Sequence, residues 1–238
     1  MSSGWAPKRF WTTVGVTEEP GGYGIALDAR KLRTPAKSPL VVPGRALAEA
    51  IAAEWQAQEE KVDPATMPVT RTANSVIDKV RPQHDAVAEM LAEYGATDLL
   101  CYRADGPDEL AARQRAGWDP ILDWLEAETG ARLVTTEGIV PVTQPGPALA
   151  RLAERVATLD DWRLAAFHDF VTLSGSLALA LALAGGRLTA AEAWPLSRID
   201  EDWQAEQWGA DEEAVAHAER RRAALAEAER FWELLDRP

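Results

Sequence analysis

The first apolar pattern along the chain has period two. Phe10, Thr12, Val14 and Val16 alternate with their neighbours, which predicts a strand with one buried face. Pro20-Gly21-Gly22 then marks a turn, because glycine reaches backbone angles that side chains forbid. Tyr23 to Leu27 predicts a second strand paired with the first. Asp28-Ala29-Arg30-Lys31 reads as another turn, with short strands at Lys31 to Thr34 and Leu40 to Val42.

Beyond this the period changes. Leu47, Ile51 and Trp55 recur four apart with Ala48 and Ala52 beside them, one apolar stripe on a helix from about Gly44 to Gln58. Asp63-Pro64-Ala65-Thr66-Met67-Pro68 breaks it, since proline lacks the N–H a helix interior needs. A domain boundary is expected there, with a β-rich N-terminal domain over 1–65 and an α-helical C-terminal domain over 66–238. In the second part, Val87, Met90, Leu91 and Tyr94 share one helix face. So do Trp118, Ile121, Leu122 and Leu125, and again Leu149, Leu152, Val156 and Leu159. Leu99 to Tyr102 and Leu133 to Thr135 suggest short strands. Phe170 to Gly185 reads as one buried helix, too short for a bilayer span of roughly 20 apolar residues. Thr189 with Glu192 forms a capping box for the next helix. Pro195 would kink that helix or delay its start, and Gly209 ends it. Asp211 can then cap a final helix carrying Val215, Leu225 and Trp232. The fold class is therefore α+β: a small β-rich N-terminal domain followed by a larger, mainly α-helical C-terminal domain.

Charge narrows the choice of partner. The net charge of −13 opposes a nucleic acid or an anionic membrane surface and suits a basic protein surface. A single cysteine, Cys101, precludes an internal disulfide and fits a reducing compartment. Residues 1–10 carry no apolar signal-peptide core, so a cytoplasmic protein without stable membrane association is expected. Ten tryptophans exceed the phenylalanines and tyrosines together, and tryptophan is over-represented at binding hot spots.

Catalytic patterns are sparse. His84, His168 and His217 lie far apart, with no HExxH and no Cys/His cluster, so a zinc site is not expected. His168-Asp169 and Ser174-Gly175-Ser176 fall along one apolar helix without a GxSxG elbow, and His168 is better read as a hydrogen-bonded helix residue. Gly21-Gly22-Tyr23-Gly24 lies between two strands and fits a hairpin, not a dinucleotide loop. Acid runs at Asp200-Glu201-Asp202 and Asp211-Glu212-Glu213 suit solvated helix starts. The second run, directly after Trp208-Gly209, also has the makings of a binding surface: a large ring, a turn and acids. A carboxylate-based hydrolase is the alternative, if such acids converge in a deep pocket.

Three blocks carry a family resemblance. The first is Arg9-Phe10-Trp11 with Leu27-Asp28-Ala29-Arg30-Lys31-Leu32-Arg33-Thr34-Pro35. The second runs from Ala46 to Trp55 and continues at Met67-Pro68-Val69-Thr70-Arg71-Thr72-Ala73-Asn74. The third is Ser197-Arg198-Ile199-Asp200-Glu201 with Gln204, Trp208-Gly209 and Glu212. In this order and spacing they resemble the assembly chaperones of the ATP synthase alpha subunit found in mitochondria and related bacteria. The resemblance implies a non-enzymatic protein, monomeric when free and without a cofactor. It implies binding of the unassembled alpha subunit until the beta subunit displaces the chaperone. It places partner-binding residues at Glu212, Glu213, Trp208, Glu201, Gln204, Trp55 and Asn74, with the family's functional acid on Glu212. The chain departs from relatives at Pro195 and in having three successive acids, so Glu213 stands beside Glu212 as a candidate. Without the presequence of the mitochondrial members, a bacterial source is expected.

Overall fold

A computed structural model describes residues 8–138 and 140–237. The alternating segment forms β1 (Val14–Glu19), antiparallel to β2 (Gly22–Leu27) with Val14 opposite Leu27. The strand starts later than Phe10 because Asp28 takes the preceding backbone. Its carboxylate accepts from the amides of Thr12 at 3.1 Å and Thr13 at 2.9 Å. The hairpin needs glycine, since a Cβ at Gly22 would stand 2.1 Å from the Val42 carbonyl oxygen. On its other side β2 pairs with β3 (Arg30–Lys31) and β4 (Val41–Val42). Ile25, Ala26 and Leu27 of this central strand are buried, and α1 (Arg45–Gln56) buries Leu47, Ala48 and Ile51.

One carboxylate joins α1 to the next helix. Glu54 accepts from the amides of Val69 and Thr70, each at 2.8 Å, and from the Thr70 hydroxyl at 2.7 Å. It thereby satisfies the orphan donors at the start of α2 (Pro68–Ser75), where Pro68 has no donor to lose. Buried Gln58 shapes the intervening loop, donating to the Glu54 carbonyl and Thr66 Oγ1 while accepting from the Asp63 amide at 2.7 Å. The chain continues through a π turn (Val76–Val80) and a 3₁₀ turn (Arg81–Gln83) into α3 (His84–Ala92).

Two units emerge from chain proximity. The described residues up to His84, with Asp161–Ala165 and those from Arg230 on, form the first. Asp85–Asp160 and Ala166–Glu229 form the second. Residues 63–68, where the sequence suggests a boundary, lie in the first unit between α1 and α2.

The remaining helices are α4 (Asp108–Thr129), α5 (Gly146–Ala157), α6 (Asp161–Ser174), α7 (Leu177–Ala184), α8 (Ala190–Leu196), α9 (Ile199–Trp208) and α10 (Glu212–Asp236). The structure corrects three expectations here. Leu99–Cys101 is a 3₁₀ turn, and the strand is β5 (Tyr102–Arg103), parallel to β6 (Thr136–Glu137). The run from Phe170 to Gly185 is two helices. Gly175 adopts φ +72, Ser174 Oγ donates back to the Phe170 carbonyl, and Ser176 caps α7 by accepting from the Leu179 amide. The stretch from Thr189 to Gly209 is also two helices. The Thr189–Glu192 capping box opens α8 as expected, but the Ser197 hydroxyl and amide turn back onto the Trp194 and Ala193 carbonyls and close it.

Asp98 explains the first two breaks together. Fully buried, it accepts from the Leu100 amide at 3.0 Å, the Ser176 hydroxyl at 2.8 Å and the Ala178 amide at 2.9 Å. It caps the 3₁₀ turn and the start of α7 at once.

Two outcomes are expected. Glu54→Gln keeps one acceptor for three donors and should lower stability by about 1–2 kcal/mol in urea unfolding; an unchanged midpoint would remove the clamp from the account. Burial raises the Asp98 pKa above its ordinary 3.8, against the opposing pull of its donors. The unfolded chain thus releases this proton at lower pH than the folded one. The contribution of Asp98 to stability therefore falls as pH rises from 3.8 towards the folded value. Asp98→Asn should cost about 1–3 kcal/mol near pH 4, with the gap to wild type narrowing towards pH 7. A gap independent of pH would contradict the shift.

Candidate functional site

The third sequence block builds a helix with two contrasting faces. Asp200, Glu201 and Asp202 occupy the first turn of α9, where the helix dipole favours carboxylates. The inner face is fixed on α4. Trp203 is buried, and the Arg113 guanidinium lies 4.7 Å from its ring centre while pairing with Glu206 at 2.8 Å. This hydrogen bond holds the Glu206 carboxyl below its ordinary pKa and raises that of Arg113. Gln114 donates to Asp200 at 2.6 Å, and Trp118 Nε1 donates to the Leu196 carbonyl at 2.7 Å. Gly117 permits the approach, since a Cβ there would lie 2.9 Å from Ile199 Cδ1 and 3.0 Å from Leu196 Cδ2.

With that face occupied, Glu201, Gln204 and Trp208 form the outer stripe, three and then four residues apart. All three are exposed, Trp208 at 79%. Gly209, with φ +89, ends the helix, and Asp211 caps α10 by accepting from the Ala214 amide at 3.0 Å. Residues 211–217 at the start of α10 are all exposed.

A groove of about 990 Å³ runs between the outer stripe of α9 and the first turns of α10. Its lining includes Glu201, Gln204, Trp208 and Val215, with Leu99 and Leu173 among the apolar residues deeper in the chain's core elements. Asp98 and Ser176 flank these segments, so their hydrogen bond joins the two stretches on which the groove rests. Arg221 ties α10 to the same place, donating to the Thr172 and Leu173 carbonyls at 3.2 and 2.8 Å. The other groove arginines are also engaged, Arg198 with Asp202 at 3.2 Å and Arg222 with Glu219 at 2.9 Å. Among the described residues, the side chains of Glu201, Gln204 and Trp208 have no hydrogen-bond or ion-pair partner.

The structure distributes the candidate residues unevenly. Glu201, Gln204 and Trp208 come together in the groove. Glu212 and Glu213 are exposed in the first turn of α10, beside the groove residue Asp211. Trp55 and Asn74 belong to the first unit. The Trp55 ring packs edge-on to Trp11 at 5.2 Å, in a cluster with Leu27, Val62 and Met67. Asn74 is half-buried on α2, with its Oδ1 enclosed.

Sequence reasoning missed Leu99, which it put in a strand, and Val215, which it placed on the final helix without a role. Val215 is 49% exposed. The buried positions of α10 are Leu225, Ala228, Phe231 and Leu234, a period of three that excludes Val215 and was present in the sequence.

The nucleophilic side chains are committed to the fold. Burial pushes the Cys101 thiol up to about 12, with the Asp98 charge adding to the shift, so it stays protonated at neutral pH. His168 Nδ1 lies 3.0 Å from Asp169, its neighbour on the helix, while Ser174 donates to backbone. Among the described residues no group of three His, Cys, Asp or Glu could hold a metal ion, and no helix is long and apolar enough to cross a membrane.

Comparison with known proteins agrees with the sequence blocks. The model of the ATP12 family, described as ATP12 chaperone protein, matches residues 8–126. The chain is 26% identical over 219 residues to the mitochondrial protein atp12 of Schizosaccharomyces pombe, covering 87% of this chain and 75% of that one. The crystal structure of Atp12 from Paracoccus denitrificans matches with a TM-score of 0.94 at 55% identity, over 95% of this chain and 97% of that chain. A mutant of the Paracoccus protein gives the same values. With the family's pattern spanning half its length and the Atp12 fold nearly all of it, the chain belongs to the ATP12 chaperone family.

Proposed function

We propose that this chaperone of ATP synthase assembly binds the unassembled alpha subunit and holds it until the beta subunit takes its place. The observation that carries this reading is the groove beside α9, where an exposed tryptophan, a carboxylate and an amide stand together without internal partners. A subunit awaiting its neighbour exposes apolar surface that aggregates when left uncovered. Trp208 and Val215 offer apolar cover, and Glu201, Glu212 and Glu213 offer acceptors for basic groups. Charges at a rim speed encounter and leave the complex reversible. Release then follows from competition, because a beta subunit covering the same surface more tightly drains the complex by mass action. A cytoplasmic site of action, a monomeric free state and the absence of a cofactor belong to the same reading. In it, Trp55 and Asn74 support the first unit's core, and the direct contacts lie on the groove side.

Co-expression with an isolated alpha subunit tests the proposal. Soluble alpha should co-elute with the chaperone, and added beta should dissolve the complex. Insoluble alpha with no complex would sink the reading. Glu212→Lys should weaken binding by roughly threefold to tenfold, mostly through slower association, with the difference shrinking as salt rises. Trp55→Ala should instead cost about 2–4 kcal/mol of stability and leave the affinity of the folded protein unchanged.

A further inference from the structure

Arginine and tryptophan meet repeatedly in this fold. A guanidinium lies over Trp11 at 5.6 Å, Trp118 at 5.2 Å, Trp162 at 5.8 Å, Trp194 at 5.4 Å, Trp203 at 4.7 Å and Trp232 at 4.9 Å. Each pair combines a planar cation with the negative face of an aromatic ring. Trp208 is exposed, and among the described residues no arginine lies over its ring. Its ring is the most exposed large apolar group of the described residues. The arginines lining the groove cannot supply the cation without abandoning Asp202, Glu219 or the end of α6.

Charge points the same way. The second unit carries 26 acidic against 11 basic residues, whereas the first carries 12 against 14. The whole net negative charge therefore resides in the unit that owns the groove. Glu201, one stripe position from Gln204 and two from Trp208, is an ionisable acceptor with no internal cation. An exposed ring, a free carboxylate and an acidic surround complement a cation with an aliphatic stem.

We propose that the groove receives an arginine-bearing segment of the unassembled subunit, its guanidinium lying on the face of Trp208 with Glu201 as counter-charge. The proposal rests on the chaperone reading above and adds the chemistry of the contact. The guanidinium plane stacks on the indole while its edge donates to the carboxylate, a combination that an ammonium group cannot reproduce. Apolar neighbours of that arginine would meet Val215 and Leu173.

The test measures affinity of the isolated alpha subunit for wild type, Trp208→Leu, Trp208→Phe, Glu201→Gln and the Leu/Gln double variant, at low and high salt. Trp208→Leu keeps apolar bulk and loses the π face, so affinity should fall roughly tenfold, with Trp208→Phe falling less. Glu201→Gln should weaken binding chiefly at low salt, and the double variant should lose less than the two single losses combined, because both groups hold one cation. Unaltered thermal midpoints would confirm that these exposed positions act on binding. As a direct probe, a short peptide of arginine and leucine should shift the Trp208 indole N–H signal, assigned by its absence in Trp208→Phe, and its lysine counterpart should shift it less. If wild type binds alpha while Trp208→Leu and Glu201→Gln bind equally well, this proposal is overturned and the chaperone reading stands. If wild type holds no alpha at all, both fall.

Discussion

A carboxylate sealed away from water sets the frame on which the groove depends. Asp98 takes its hydrogen bonds from a 3₁₀ turn, a serine hydroxyl and the first amide turn of α7. Leu99 and Gly175, next to Asp98 and Ser176, both line the groove. Removing the carboxylate from water is costly, and the donors that offset this cost can meet it in one arrangement only. The Arg221 contacts to the end of α6 extend the same frame to the opposite wall.

The neighbouring helix shows how one face is left exposed by exhausting the other one. Trp203, Asp200 and Glu206 are all consumed by α4, through a ring contact, a neutral donor and an ion pair. Gly117 allows the helices close enough for these contacts to form together. Rotation of α9 would break several of them at once. The stripe of Glu201, Gln204 and Trp208 is thereby held outward with its polar groups unspent. Such preorganisation limits what a binding partner must later order.

Much of this was legible along the chain, for identifiable reasons. Period two marked the hairpin, period four marked α1, and the Thr189–Glu192 box opened α8 where it should. The three family blocks also have physical content. The second joins Glu54 to the amides of Val69 and Thr70, a contact across fifteen residues that no periodicity reveals. Breaks inside apolar runs were less legible. Gly175 reads as a tolerated residue in a helix, because the break beside it is fixed from far along the chain, by Asp98 accepting from the Ser176 hydroxyl and the Ala178 amide. Of the site, Glu201, Gln204 and Trp208 were reached through the family resemblance of the third block, whereas Leu99 entered the groove through the fold around Asp98. Trp55 shows the opposite limit, since a tryptophan on a stripe with Leu47 and Ile51 has the same sequence signature in a core as at an interface.

The two walls of the groove differ in mechanical character. The α9 wall is braced along its length by α4. The facing wall begins with seven consecutive exposed residues of the α10 start, and its buried anchors come only from Leu225 onward. Helical turns without tertiary packing have little to resist fraying, because most helix stability in proteins comes from a packed face. The groove thus has one stiff jaw and one compliant jaw. Under the proposed function, a client is gripped without matching a fixed width, and the grip loosens turn by turn from the Gly209 end, so that a competing subunit need not displace the whole contact in a single step.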